Sequence, residues 1–179
     1  MKINKLLFLL IFVSFIWQIS AQVSLNELKA AYIEKFTKFI EWPDSTLENQ
    51  QSFVIGYYEL DEFMEIMKLN LSGKDIQDKQ CEFVHIKTLS DAYLCDLVYI
   101  PTLSTKVQKE IYKSLKNEPI LLIGHSKNYA KNGVHINFYL EQGKLKFEIN
   151  PESLKNSGLK SSYLLLKLAR IVELEGGKA

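Results

Sequence analysis

Cysteine, proline and glycine are all scarce in this chain, with two, four and eight residues among 179. Cys81 and Cys95 stand at no metal-ligand spacing to each other or to His85, His125 and His135, so no metal site is expected. Gly124 stands alone after its apolar run, without the further glycines that let backbone approach a pyrophosphate, so a dinucleotide cradle is not expected either. No serine occupies a Gly-x-Ser-x-Gly elbow, and Ser126, beside His125, has no evident base and orienting acid. A block of one charge sign is missing as well. Lysines and arginines are interspersed with acids, which argues against DNA or RNA as a partner. Repeats, low-complexity tracts and Pro/Gly-rich linkers are absent, as expected of one compact unit. After Ala21 no apolar stretch approaches the roughly 20 residues of a membrane span. No cofactor and no catalytic constellation is legible, and the expectation is a protein that binds rather than catalyses.

What is present begins at the N-terminus. Lys2 and Lys5, an apolar run from Leu6 to Ile16, and Ser20-Ala21-Gln22 have the layout of a secretory signal peptide, residues 1–21. Removing 21 of 179 residues leaves 158, residues 22–179, enough for a single α/β domain. Losing two lysines brings the 22 basic side chains to 20 against 21 acidic ones, so the processed chain is near neutral. Export places both cysteines in an oxidising compartment, where an even count invites a disulfide. A Cys81–Cys95 bridge would close a loop of about 15 residues, worth about 3 kcal/mol in the chain-entropy model. It requires Cα atoms about 4.4–6.8 Å apart, met if the two residues begin neighbouring parallel strands. Two separate buried thiols fit the sequence equally well.

Along the chain helices alternate with strands. Ser24 and Glu27 form a capping box before a helix carrying Leu28, Ala31, Tyr32, Phe36, Phe39 and Ile40, which ends at Trp42-Pro43. Phe53–Tyr58 reads as a strand, and Asp61 caps a helix running towards Gly73. Cys81–Ile86 reads as a second strand, Leu89–Leu94 as a short helix, Asp96–Ile100 as a third strand and Thr105–Leu115 as a helix. Ile120–Ile123 is continuously aliphatic, as in a central strand covered on both faces. Val134–Leu140 and Lys144–Ile149 alternate apolar with polar residues about Glu141-Gln142-Gly143, a hairpin. Pro151 begins a helical segment that Gly158 interrupts. Tyr163, Leu164, Leu166, Leu168, Ile171 and Val172 then read as the buried stripe of a last helix, after which Glu175–Ala179 should fray. The pattern implies a three-layer α/β sandwich with a mixed, mainly parallel sheet of about six strands, a C-terminal antiparallel hairpin and flanking helices. Glu148, between Phe147 and Ile149, points to the face opposite both, where a solvated glutamate or a partner contact is expected.

Leu28-Lys29-Ala30-Ala31-Tyr32, Lys35-Phe36, Phe39-Ile40-Glu41-Trp42-Pro43, Cys95-Asp96-Leu97-Val98-Tyr99-Ile100 and Ile120 to Gly124 resemble, in order and spacing, the YfiR family. The resemblance continues through Gly133, Ile136-Asn137-Phe138, Phe147-Glu148-Ile149-Asn150, Gly158-Leu159, Ser161-Ser162, Leu164-Leu165 and Leu168-Ala169. His125 stands where related sequences often carry aspartate, and Val134-His135 replaces a second glycine and an apolar residue. The resemblance implies a periplasmic protein that binds and represses the sensor portion of an inner-membrane enzyme, a diguanylate cyclase, lowering cyclic di-GMP. It also implies pairing into a homodimer in some members and redox control through disulfides, although only Cys95 aligns with a familiar family position. Trp42, an aromatic at a helix end, is the first candidate for a surface contact. The alternative is a periplasmic small-ligand-binding module feeding a sensor kinase, with Asn137, Glu148 and Asn150 as its polar groups.

Overall fold

The computed structural model describes residues 24–48 and 50–174. The signal peptide and the fraying tail expected from the sequence lie outside the described residues.

Ser24 caps helix α1 (Leu25–Phe39) as its spacing to Glu27 implies. Its hydroxyl accepts the Glu27 N–H at 3.1 Å, and the Glu27 carboxylate accepts the Ser24 N–H at 2.7 Å. The helix buries Ala30, Ile33, Phe36 and Thr37 and stops where Ile40 turns extended, ahead of Trp42-Pro43. Short β1 (Ile40–Glu41) and α2 (Asp44–Leu47) follow, then β2 (Ser52–Tyr57) and α3 (Glu62–Leu71), capped by Asp61 through Met64 N–H at 2.9 Å. The chain continues through β3 (Asp75–Ile76), β4 (Lys79–His85), α4 (Leu89–Ala92), β5 (Leu97–Ile100), α5 (Thr105–Leu115) and β6 (Leu121–Gly124). It closes with β7 (Ile136–Glu141), β8 (Lys144–Ile149), α6 (Pro151–Asn156), β9 (Lys160–Ser161), α7 (Tyr163–Leu168) and β10 (Arg170–Ile171).

The main sheet has the order β10-β8-β7-β6-β5-β2-β4-β3. Its outermost strands hold two residues each, so the six longer strands are the six the sequence implies. β4, β2, β5, β6 and β7 run parallel, and β8 returns antiparallel through a turn in which Gln142 (φ 51°) and Gly143 (φ 72°) are both left-handed. β1 and β9 form a separate antiparallel pair. β6 is buried throughout because both sheet faces are covered. Leu121 and Ile123 join a core with Phe36, Met67, Phe138 and Phe147, while Leu122 joins one with Ile111, Leu115 and Val134 on the other face. Phe36 meets Phe147 edge-on at 4.9 Å and stacks on Phe138 at 5.6 Å, locking α1 over the hairpin.

Two expectations are corrected here. Cys81 and Cys95 do not begin neighbouring strands: β2 lies between β4 and β5, which separates their strands by about 9–10 Å, beyond a disulfide's reach. They also face opposite cores, and both are free thiols. The last helix is the second correction. α7 is only six residues long and buries Leu165 alone, while Tyr163 (74% exposed), Leu164 and Leu168 (76%) face outwards. Ala169 turns extended, and Arg170–Ile171 pair with Glu148–Ile149 as β10, so the stripe is divided between a short helix and an edge strand.

Candidate functional site

A cavity of about 760 Å3 opens beside the outer half of β7, beneath the first turns of α1 and against the loop that continues from β6. Its polar centre is a row across three adjacent strands. Register sets Asn137 opposite Glu148 and Glu148 opposite Arg170, so all three side chains share one sheet face. Asn137 Nδ2 donates to Glu148 Oε1 at 3.0 Å, and Ser126 N–H donates to Asn137 Oδ1 at 3.1 Å. The Arg170 guanidinium donates through Nε and Nη2 to Glu148 Oε2 at 3.2 and 2.5 Å, and lies 3.8 Å from the Tyr139 ring centroid. Glu148 is 4% exposed, because the guanidinium and the amide cover both oxygens. The solvated strand glutamate expected from alternation is thus a buried, fully partnered carboxylate.

Beyond the neutral polar groups of His125, Ser126 and Asn128, the rest of the lining is apolar or cationic. Leu25, Leu140 and Leu145 supply apolar surface, and Lys29, Lys127 and Lys131 supply ammonium groups. Among the described residues none of these lysines is in an ion pair, while the one carboxylate of the lining, Glu148, is engaged by Arg170. Lys29 sits over the Phe63 ring at 5.5 Å; burial lowers its pKa, opposed by the charge of Asp61. Burial and then the nearby Lys29 charge lower the pKa of His125, so the imidazole is neutral near pH 7. Its Nδ1 lies 2.6 Å from the Tyr99 hydroxyl and its Nε2 3.3 Å from Thr102 Oγ1. Hydroxyls hold both ring nitrogens, and no carboxylate orients this histidine among the described residues. The arrangement anchors the loop after β6 and does not activate Ser126 as a nucleophile.

The other sequence candidates lie elsewhere. Trp42 is 7% exposed; it packs edge-on to Phe53 at 5.3 Å and donates Nε1–H to Asp96 O at 3.3 Å. The surface contact expected of Trp42 thus gives way to core packing, in which the Phe53 ring covers its indole and the Asp96 carbonyl takes the indole N–H. Asn150 is fully buried as the N-cap of α6, accepting Ser153 N–H at 3.0 Å and donating to Ala130 O at 2.8 Å. Cys95 lies under Gly56, and burial pushes both thiols up to about 12, which makes them poor nucleophiles. Phe36, Phe147, Ile149 and Leu165 are core, Ser162 caps α7, and Ser161 pairs with Ile40. Gly124 admits the Tyr129 ring, and Gly133 (φ 108°) admits that of Tyr112. Most of the recognisable residues thus serve the fold. Asn137 and Glu148 are the two that meet at the cavity. Lys29 and Arg170 complete the lining without standing out in the sequence as site residues. The only signals were Lys29's position beside the buried stripe of α1 and Arg170's place among apolar residues.

Among the described residues no helix is long and apolar enough to cross a membrane. No curated protein matches the chain. A crystal structure of a conserved domain protein from Vibrio cholerae O1 biovar El Tor shares the fold, with a TM-score of 0.52 and 14% identity. The likeness covers 85% of this chain and 60% of that one, so this chain spans less than two thirds of its neighbour's length. Residues 26–170 match the family described as YfiR/HmsC-like, a span that runs from the first turn of α1 to the arginine that closes the Glu148 row, and the chain belongs to that family.

Proposed function

We propose that this chain is an exported regulator that binds the sensor portion of an inner-membrane diguanylate cyclase from the periplasmic side and holds it inactive, lowering cyclic di-GMP. The observation that carries the reading is the family match over residues 26–170. The outward Tyr163, Leu164 and Leu168 of α7, with Ile171 of β10, support it, since apolar side chains left this exposed are available for a protein partner to cover. Repression is a population shift: the regulator binds the inactive sensor more tightly than the active one, and each 1.4 kcal/mol of difference is worth about tenfold.

Deleting the gene should raise cellular cyclic di-GMP, and the wild-type chain supplied in trans should restore it. The double variant Leu164→Asp, Leu168→Asp should reach the envelope folded and fail to restore. An unchanged cyclic di-GMP level on deletion would end this reading. The cavity beside Glu148 favours a second one, a ligand-binding module feeding a sensor kinase. Cross-linking in the envelope separates the two, since a lone ligand binder brings down no membrane sensor.

A further inference from the structure

The cavity occupies the place where β6 would run if it were longer. β6 pairs with β7 only at Ile136 and Asn137, whereas β8 pairs with β7 as far as Glu141. Asn150 N–H donates to His135 O at 2.9 Å, which sets the phase of the antiparallel ladder. His135, Asn137, Tyr139 and Glu141 therefore turn their backbone polar groups to β8, and Ile136, Phe138 and Leu140 turn theirs to the β6 side. Past Gly124 that side has no strand among the described residues. The Phe138 carbonyl and both polar groups of Leu140 face the slot, and among the described residues no turn or loop backbone bond reaches either residue. Leu140 is 58% exposed. Side chains of both strand faces line the slot, Leu140 and Leu145 from one and Asn137 and Tyr139 from the other, as they must if it lies along an edge.

We propose that this open edge takes an extended, acidic peptide segment of a partner protein, added as a strand beside Phe138 to Glu141. Main-chain groups left unpaired at an edge are what strand addition satisfies. About 10 Å of edge is free, enough for three or four residues. Charge selects the sign of the occupant: Lys29, Lys127 and Lys131 surround the slot without ion-pair partners among the described residues, and its one carboxylate is spent on Arg170. An alternating segment would set apolar side chains on the α1 side, against Leu25 and Leu145, and carboxylates on the opposite side, towards Lys127 and Lys131. The inference deepens the regulator reading, on which it rests in taking the occupant to be a protein, by naming the kind of segment the partner offers.

The test uses the processed chain purified from the envelope and the peptide acetyl-Val-Glu-Val-Glu-Val-amide, followed by calorimetry. Saturable binding is expected, weaker by about tenfold or more for the lysine counterpart acetyl-Val-Lys-Val-Lys-Val-amide. N-methylation of one alternate set of backbone amides should abolish binding while the other set is tolerated, because only one set faces β7. Leu140→Pro removes an N–H that no ladder bond uses, so it should weaken the peptide by about tenfold while the hairpin persists. Lys127→Met, which keeps the apolar stem, should weaken the glutamate peptide and strengthen the lysine one. No binding, equal binding of both peptides, or equal effects of the two methylation sets would overturn the proposal. None of these outcomes bears on the cyclic di-GMP measurement, so failure of the edge and failure of the regulator reading are separable.

Discussion

His135 shows how a single buried group ties stability to pH. Its Nδ1 accepts Leu122 N–H at 3.1 Å, so the ring proton sits on Nε2 and points to Ser157 Oγ at 3.1 Å. Burial takes its pKa from 6.5 down to about 3. Between these values the unfolded chain takes the proton and the folded chain does not, so this contribution is complete above about pH 6.5 and is lost as pH falls towards 3. Urea midpoints should therefore be lower at pH 5 than at pH 7.5. His135→Leu should show a shallower fall, together with a loss of about 1–3 kcal/mol at neutral pH from the orphaned Leu122 N–H. An equal pH slope in the variant would contradict this account. At the Glu148 row, Arg170→Ala uncovers half of a buried carboxylate and should cost about 1–3 kcal/mol in urea unfolding. Glu148→Gln keeps the shape and the acceptor for Asn137 and should cost less. The pattern of alternation revealed that Glu148 and Phe147 oppose each other, yet nothing in it revealed Arg170, which lies 22 residues away in sequence.

At the scale of elements, α7 divides its side chains between a packed and an outward side within six residues. Leu165 points into the core, and Leu165→Ala should cost about 2–4 kcal/mol in urea unfolding. Leu164→Asp and Leu168→Asp, on the outward side, should each stay within about 0.5 kcal/mol of wild type while losing partner capture. Local signals located most elements well. The Ser24–Glu27 box, the Asp61 cap and the turn at Gln142-Gly143 each settle their own geometry within four residues. α7 escaped such reading because helical spacing continues through Ile171 and Val172. Its end is decided by the vacant edge of β8 and by the Glu148 carboxylate awaiting Arg170, neither of which is a local property.

For the whole molecule, strand order decides the redox behaviour. With β2 between the strands that carry Cys81 and Cys95, protein recovered from the envelope without reductant should show two free thiols by mass spectrometry. Its urea midpoint should be the same with and without dithiothreitol, and a shift on reduction would show a bridge and so contradict this strand order. By itself the sequence determined the helix caps at Ser24 and Asp61, the hairpin turn, the fully buried central strand and the six longer strands. Each of these follows from side chains within one turn or one period of their neighbours. Only the tertiary structure decided that the cysteines face different cores, that Trp42 is buried, that Glu148 is partnered and that β7 outruns β6. Those depend on which strands become neighbours and where each one stops, and the balance of burial and pairing across the whole sheet sets both.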